Sequence, residues 1–284
     1  MTVVRLEHTP RLGPVLLAGA LRSPLKRPRP DAPLPGRSIA LDAAQVDRGR
    51  LAAYAELCGF PADGRLPVTY PHVLAFPLAM RLMAARDFPL PLLGLVHTSI
   101  EIRQEAAPLR VEDRLELFVH AEKLTPHRRG TEATVVTRVR CAGRGDTAWM
   151  SRSTYLARHG KPGPATAGAP GAGTPDPLPV QATWRLPASL GRRYAAVSGD
   201  RNPIHLHPLT ARAFGFPRQI AHGMWTAARC LAEQPFEGPV DVRVDFRAPV
   251  LLPGTVTYGG RTGPFELRGA DGRLHLTGRV SGRV

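Results

Sequence analysis

Lysine, cysteine and long apolar runs are all scarce in this chain of 284 residues, and each scarcity excludes something. Of the 38 basic residues only Lys26, Lys123 and Lys161 are lysine. The remainder are arginine, scattered with no block of five like charges. The formal net charge of +15 therefore does not point to nucleic acid, whose binders gather charge into a patch or stripe. A diffusely basic surface suits phosphate-bearing ligands or an acidic carrier protein instead. Cys58, Cys141 and Cys230 lie far apart and form neither a CxxC pair nor a disulfide framework, as expected of a cytoplasmic protein. No apolar run approaches the ~18 residues of a membrane span. Val15 to Ala20 ends like a secretory leader, but Pro14 interrupts it and Glu7 spoils the basic start, so a buried or surface-lying segment is expected.

Hydrophobic residues make up 43% of the chain, enough for a sizeable core, and 30 Pro and 28 Gly promise linkers and tight turns. At about 100–200 residues per domain, two domains are expected. The clearest linker is His159 to Pro179, nearly all Gly, Pro, Ala and Thr, a composition that opposes packing. It divides the chain into residues 1–158 and 180–284. Pro24 to Pro35 reads as an extended lead-in.

The two halves carry the same signals in the same order. Tyr54 to Gly59 (YAELCG) matches Tyr194 to Gly199 (YAAVSG), both helical in pattern. Pro71-His72-Val73 matches Ala221-His222-Gly223, each opening a second helical stretch, the first to about Ala85 and the second from Met224 to Glu233. Alternating strands follow at His97–Gln104, Arg114–Lys123, Thr131–Cys141 and Thr147–Ala157. In the second half Val242, Val244 and Phe246 alternate like Thr98, Ile100 and Ile102, and short strands are expected at Phe265–Gly269 and Arg273–Val280. Pro249 to Val256 likewise matches Pro108 to Leu115, and four landmarks in one order argue for a duplicated unit. Each unit is a central helix followed by an antiparallel meander that must cover it, so the class is α+β. A helix wrapped by a curved sheet is the hot-dog arrangement, and two in one chain, a double hot-dog, would pack as a pseudo-dimer forming one closed layer. As a whole the protein is then a monomeric pseudo-dimer or a homodimer.

One segment carries chemistry. Gly199 ends a helix, and Pro203 keeps Asn202 out of the helical region. Asp200, Asn202 and His205 then share a tight irregular turn, which can aim an acid and an imidazole at one point. Histidine gains or loses a proton near neutrality, and a carboxylate can orient it or share its work on a bound water. Gly223 opens a helix, so its N–H points outward with the helix dipole behind it and suits an oxygen that gains negative charge. Taken singly, Asp200 could be a helix cap and His205 a satisfied polar residue. Their joint occurrence with Asn202, Pro203 and Gly223 favours function. His205, His207 and His222 complete no recognisable ligand spacing, so no metal is expected. Ser198 lacks a nucleophile elbow.

The stretch Tyr194…Ser198-Gly-Asp-Arg-Asn-Pro-Ile-His205, with Ala211…Gly215-Phe216 and His222-Gly-Met224, closely resembles the signature of the MaoC-like dehydratases and R-specific enoyl-CoA hydratases. His207 stands where that pattern usually has Asp. The resemblance implies reversible hydration of trans-2-enoyl thioesters to (3R)-hydroxyacyl thioesters in lipid metabolism. It implies Asp200 and His205 as the catalytic pair and the Gly223 N–H as oxyanion donor. Asn202 would hold the loop, and it, His222 and Met224 are expected at the substrate. No cofactor is needed: CoA or an acyl carrier protein supplies the thioester. The first half has Phe60 in the place of Asp200 and Val73 in the place of Gly223, and it lacks Asn-Pro-x-His, so it should be non-catalytic. Its apolar run Val73, Leu74, Phe76, Leu78, Met80 and Met83 either walls an acyl-tail tunnel or fills the core. His72 and His97 are expected as structural polar residues. An acyl thioesterase and a non-catalytic acyl-binding or assembly subunit stand as the alternative readings.

Overall fold

The computed structural model describes residues 2–105, 107–143, 145–159, 176–236 and 238–282. Most of the connector expected from His159 to Pro179 lies outside the described residues. Its two ends are tied down: the His159 N–H donates to the Arg129 carbonyl, and the Pro179 carbonyl accepts from Gly260.

Eleven strands form one mixed sheet: β1 Thr2–Leu6, β2 Arg37–Ala44, β3 Val96–Gln104, β4 Leu115–His127, β5 Gly130–Cys141, β6 Thr147–Arg158, β7 Val180–Leu186, β8 Val240–Phe246, β9 Gly254–Gly260, β10 Pro264–Gly269 and β11 Leu274–Gly282. Their spatial order is β1-β2-β4-β5-β6-β3-β8-β11-β10-β9-β7. From β2 to β3 this is the order first, third, fourth, fifth, second. Read from its far edge, β7-β9-β10-β11-β8 repeats that order, so the duplication seen in the landmarks is also a duplication of topology. The two sets meet edge to edge where β3 pairs antiparallel with β8, Ile100 opposite Val244 and Ile102 opposite Val242. The layer is one sheet with edges at β1 and β7, rather than the closed layer expected from two packed units. The parallel β1–β2 pair has no counterpart at the other edge and no sequence signal announced it.

The described residues form six α-helices: α1 Leu12–Arg22, α2 Arg48–Cys58, α3 Tyr70–Met83, α4 Leu190–Ser198, α5 Pro208–Ala213 and α6 Gly223–Leu231. The long helix of the first half, α3, packs on β2, β4 and β5, and α6 packs on β10 and β11. This is the α+β double hot-dog. The helix expected to run from Met224 to Glu233 starts one residue earlier and stops at Leu231. Val15 to Ala20 lies within α1 on the protein surface, with Pro14 tolerated in the first turn where its missing N–H has no acceptor to lose. Only Ser23–Leu25 of the expected extended lead-in is a 3₁₀ turn.

Helices α2 and α4 show how deep the repeat goes. Each ends at a glycine in the left-handed region, Gly59 at φ 84° and Gly199 at φ 81°, a conformation that favours glycine at a helix end. Each carries a fully buried tyrosine, Tyr54 and Tyr194, whose rings sit 6.0 Å apart where the halves meet. Cross-half hydrogen bonds reinforce the contact: Arg50 Nε donates to the Val197 carbonyl at 2.6 Å, and Trp225 Nε1 to the Leu57 carbonyl at 3.1 Å. In α3, Val73, Leu78, Met80 and Met83 are buried in the hydrophobic core, with Leu74 and Phe76 packed against it.

Because the core and the sheet run unbroken through the β3–β8 joint, the halves should unfold together. Ile100, fully buried at that joint, tests this: Ile100→Ala should cost about 2–5 kcal/mol. Urea unfolding followed by both fluorescence and circular dichroism should show one shifted transition. Two separated transitions would contradict a shared core.

Candidate active site

The turn after α4 is built by side chains bonding to nearby backbone. Beyond Gly199, the Asp200 N–H donates to Ser198 Oγ at 3.2 Å, and the Asn202 N–H to Asp200 Oδ1 at 3.1 Å. Asn202, at φ −57° and ψ 125° as a residue before proline requires, caps the 3₁₀ turn Pro203–His205 by accepting from Ile204 N. Asp and Asn favour such local side-chain bonds. The turn rests directly on α4: a Cβ on Gly191 would lie 1.9 Å from the His205 carbonyl oxygen, so glycine is required there to bring helix and turn into contact. Gly191 carried no signal in the sequence because the partner it must accommodate lies 14 residues away.

His205 is 8% exposed, and its Nδ1 lies 2.8 Å from the Ile220 carbonyl oxygen. A carbonyl only accepts, so Nδ1 carries the proton and donates, leaving the Nε2 lone pair bare. Burial lowers the His205 pKa from 6.5, opposed by the nearby Asp200 carboxylate and by the Ile220 bond. The ring is thus a neutral imidazole with one free basic nitrogen. The Asp200 side chain is 30% exposed and reaches the same place: one oxygen or nitrogen from each of Asp200, His205 and His222 lies within 4.8 Å of the others. The expected convergence of acid and imidazole is present.

That triad also has the composition of a metal site, with His222 rather than His207 as its third member. Both imidazoles already give one nitrogen to a backbone carbonyl, His205 to Ile220 and His222 to Asp200. Their rings stack at 3.7 Å between centroids and 26° between planes. The two carbonyl bonds leave one nitrogen of each imidazole uncommitted.

His222 and Met224, expected at the substrate, are both buried side chains. His222 is 2% exposed. It is sandwiched between His205 and Tyr194, and its Nε2 donates to the Asp200 carbonyl at 2.9 Å. It ties the start of α6 to the turn. Burial and the neighbouring His205 push its pKa down to about 3, against the pull of Asp200. Met224 points into the core. Asn202 spends its side chain on the turn, as the loop-holding reading expects. His207, in the place of the usual Asp, still does an aspartate's local job: its Nδ1 accepts from Leu209 N and caps α5.

Gly223 is the first residue of α6, so its N–H has no acceptor within the helix. A Cβ there would press on the Phe246 ring at 3.2 Å. The glycine thus makes room for a phenylalanine at the end of β8. Phe246 leads into a group of rings from the first half that the sequence had set aside as structural. His97 lies 5.0 Å from Phe246, 4.6 Å from Tyr155 and 5.9 Å from His72, centroid to centroid. Burial lowers the pKa of His72 to about 4 and of His97 to about 3. The Asp200 carboxylate pulls the first of these upward and helps burial to raise that of Tyr155. His97 Nε2 is buried with no hydrogen-bond partner. The first half therefore contributes polar groups beside the site, which only the β3–β8 joint brings there. The one sequence signal for them was that His72 aligns with His222.

With this geometry in view, the comparisons with known proteins decide the family. Residues 172–260 match the MaoC like domain. The chain is 40% identical over 267 residues to the 3-hydroxyacyl-thioester dehydratase X of Mycobacterium tuberculosis, covering 90% of this chain and 92% of that protein. The chain belongs to the MaoC-like dehydratase family. The crystal structure of HtdX from the same organism superposes with a TM-score of 0.74 at 38% identity, over 87% of this chain and all of that one. A MaoC-like dehydratase from Phytophthora capsici shares the fold, with a TM-score of 0.64 at 18% identity over 89% of this chain and 96% of that one.

Two predictions follow from the site's packing. His72, His97, His205 and His222 are held neutral, all with pKa values lowered from 6.5 by burial. Below pH 6.5 the unfolded chain takes up protons that the folded chain refuses. Stability is complete above that pH and is lost progressively as the pH falls toward about 4 and about 3. The urea midpoint should drop steadily through this window, and His97→Gln should flatten the slope; a slope unchanged by that substitution would contradict a buried neutral His97. Separately, Gly223→Ala should destabilise by about 1–3 kcal/mol through overpacking, and adding Phe246→Leu should restore the melting temperature. Failure of the second change to restore it would show that the Cβ strains something other than this ring.

Proposed function

We propose that this protein interconverts 3-hydroxyacyl and trans-2-enoyl thioesters, as a hydro-lyase of (3R) specificity acting in lipid metabolism. The observation that carries the reading is the His205 tautomer. With Nδ1–H committed to the Ile220 carbonyl and the ring neutral in its buried site, Nε2 is left as a base beside the Asp200 carboxylate. The 40% identity to a 3-hydroxyacyl-thioester dehydratase across nearly the whole chain supports it.

In the hydration direction, a water held between Asp200 and His205 adds its oxygen to C3 while one of its protons passes to His205 Nε2. The C2=C3 electron pair moves toward the thioester, whose oxygen gains negative charge. The Gly223 N–H, at the start of α6 with the helix dipole behind it, stabilises that oxygen. Collapse of the enolate then takes a proton from the Asp200–His205 pair onto C2, and the pair ends as it began. Dehydration is the reverse: the pair removes the C2 proton and protonates the departing C3 hydroxyl. Asp200 and His205 act on one water, so they titrate and fail as a unit. His222 and Gly191 are positioning residues, holding the turn against α6 and α4. CoA or an acyl carrier protein supplies the thioester. The first half serves as a non-catalytic wall of the site.

Asp200→Asn and His205→Ala should each lower turnover of crotonyl-CoA and longer enoyl-CoA by roughly 10²–10⁴-fold. The double variant should be little worse than either single one. The assay is loss of enoyl-thioester absorbance without release of free thiol, on variants whose thermal melts match the parent. Near-normal turnover in either single variant would refute the assignment, and thiol release by the parent would identify a thioesterase.

A further inference from the structure

We propose that α1 docks the protein flat onto an anionic lipid surface. This inference is independent of the dehydratase chemistry and concerns the side of the molecule built from residues 11–30 and the loop around Leu93.

The inner face of α1 is fully accounted for. Leu12, Val15 and Leu16 pack against the core. Gly19 is buried so tightly that a Cβ would lie 2.4 Å from Leu92 and 3.0 Å from Ala84. Ser23 Oγ donates to the Gly19 carbonyl and accepts from Leu93 N. Beyond the helix, Lys26 Nζ donates to the carbonyls of Ala85, Arg86 and Phe88, and Arg22 Nη1 to that of Ala84. The helix is therefore rigidly presented.

Its outer face is the anomaly. A solvent-facing helix side is normally polar, yet no charged residue occurs between Leu12 and Leu21. Leu17, Leu21 and Leu25 follow one another at four-residue spacing and are 62%, 70% and 81% exposed. They span roughly 12 Å along the helix direction, with Leu93, 44% exposed, beside Ser23. Isolated exposed leucines are ordinary, whereas a contiguous apolar stripe marks an interaction surface.

Charge selects the occupant. From Arg11 to Pro30 the chain carries Arg11, Arg22, Lys26, Arg27 and Arg29 and no acid. Arg86 lies close enough to Lys26 to depress its pKa. Asp87, which acts on Lys26, is already held by two hydrogen bonds from Arg37, and Asp31 follows directly after Pro30. A leucine stripe rimmed by arginines is the pattern of a helix lying in the headgroup plane of an anionic membrane, with leucines in the acyl boundary and cations at the phosphates. A second copy of this chain would bring another +15 against the same arginines, which opposes self-association. Among the described residues no helix is long and apolar enough to cross a membrane, so the contact is peripheral.

The test is sedimentation of the full-length protein with phosphatidylcholine vesicles containing about one-third phosphatidylglycerol, at low salt. The protein should pellet with these and remain in solution with pure phosphatidylcholine or at high salt. The triple change Leu17→Ser, Leu21→Ser and Leu25→Ser should lower the partition constant at least ~10-fold, with the thermal melt and crotonyl-CoA turnover unchanged. Absence of binding to anionic vesicles by the parent would overturn the proposal. So would undiminished binding by the triple variant, which would leave a charge effect without the leucines. If the triple change instead splits a dimer, or abolishes binding of a purified acyl carrier protein while vesicles are ignored, the stripe is a protein interface and the proposal fails.

Discussion

The antiparallel pairing of β3 with β8 is the contact on which the rest of this structure depends. It joins two five-stranded units of identical order into one sheet. By fixing their register it also fixes what each half presents to the other. Phe246 leaves the end of β8 beside His97 at the start of β3, and the same phenylalanine covers the Cα of Gly223. Across the joint, α2 meets α4 through Tyr54 and Tyr194 and through Arg50 bonded to Val197. A candidate site whose carboxylate and imidazoles belong to one half is thereby flanked by rings from the other.

Within that frame the site is governed by burial. Four imidazoles sit where a charged ring would be poorly solvated, and all have lowered pKa values. For His205 the effect is chemical, since a neutral ring with one nitrogen committed to a carbonyl can only accept at the other. For His222 the effect is architectural, since its bond to the Asp200 carbonyl and its stack on His205 hold the acid's backbone against α6. Asp200 itself is the part of the group that retains solvent contact.

The duplication has been used asymmetrically. Gly59 and Gly199 end equivalent helices in the same left-handed conformation. One is followed by Phe60 and the other by Asp200. His72 and His222 stand near the starts of the two central helices, but α6 begins at a glycine beside the acid and α3 runs on through Val73 into a filled core. The first half thus shares the scaffold positions and lacks the Asp-x-Asn-Pro-x-His turn.

Much of this was determined by the sequence alone. Local chemistry sufficed for the turn: Gly199, the Asx bonds of Asp200 and Asn202 and the fixed geometry of Pro203 place acid and imidazole together whatever surrounds them, and the period of two in Val135 to Val139 placed a strand. The duplication was legible because Tyr, Gly and His recur in order. Tertiary structure alone decided the rest, because those properties depend on residues far apart in the chain. Nothing near Gly191 reveals that His205 will rest on it, and nothing near Gly223 reveals Phe246. Nothing near His222 reveals that its ring will bond to a carbonyl 22 residues earlier in the chain, at 2.9 Å. Strand β1 went unread because an edge strand's pattern is weak until its partner is known. Whether an apolar run is wall, core or exposed stripe is settled by what packs on it, and so Met80 and Met83 lie in the core while Leu17 and Leu21 face outward.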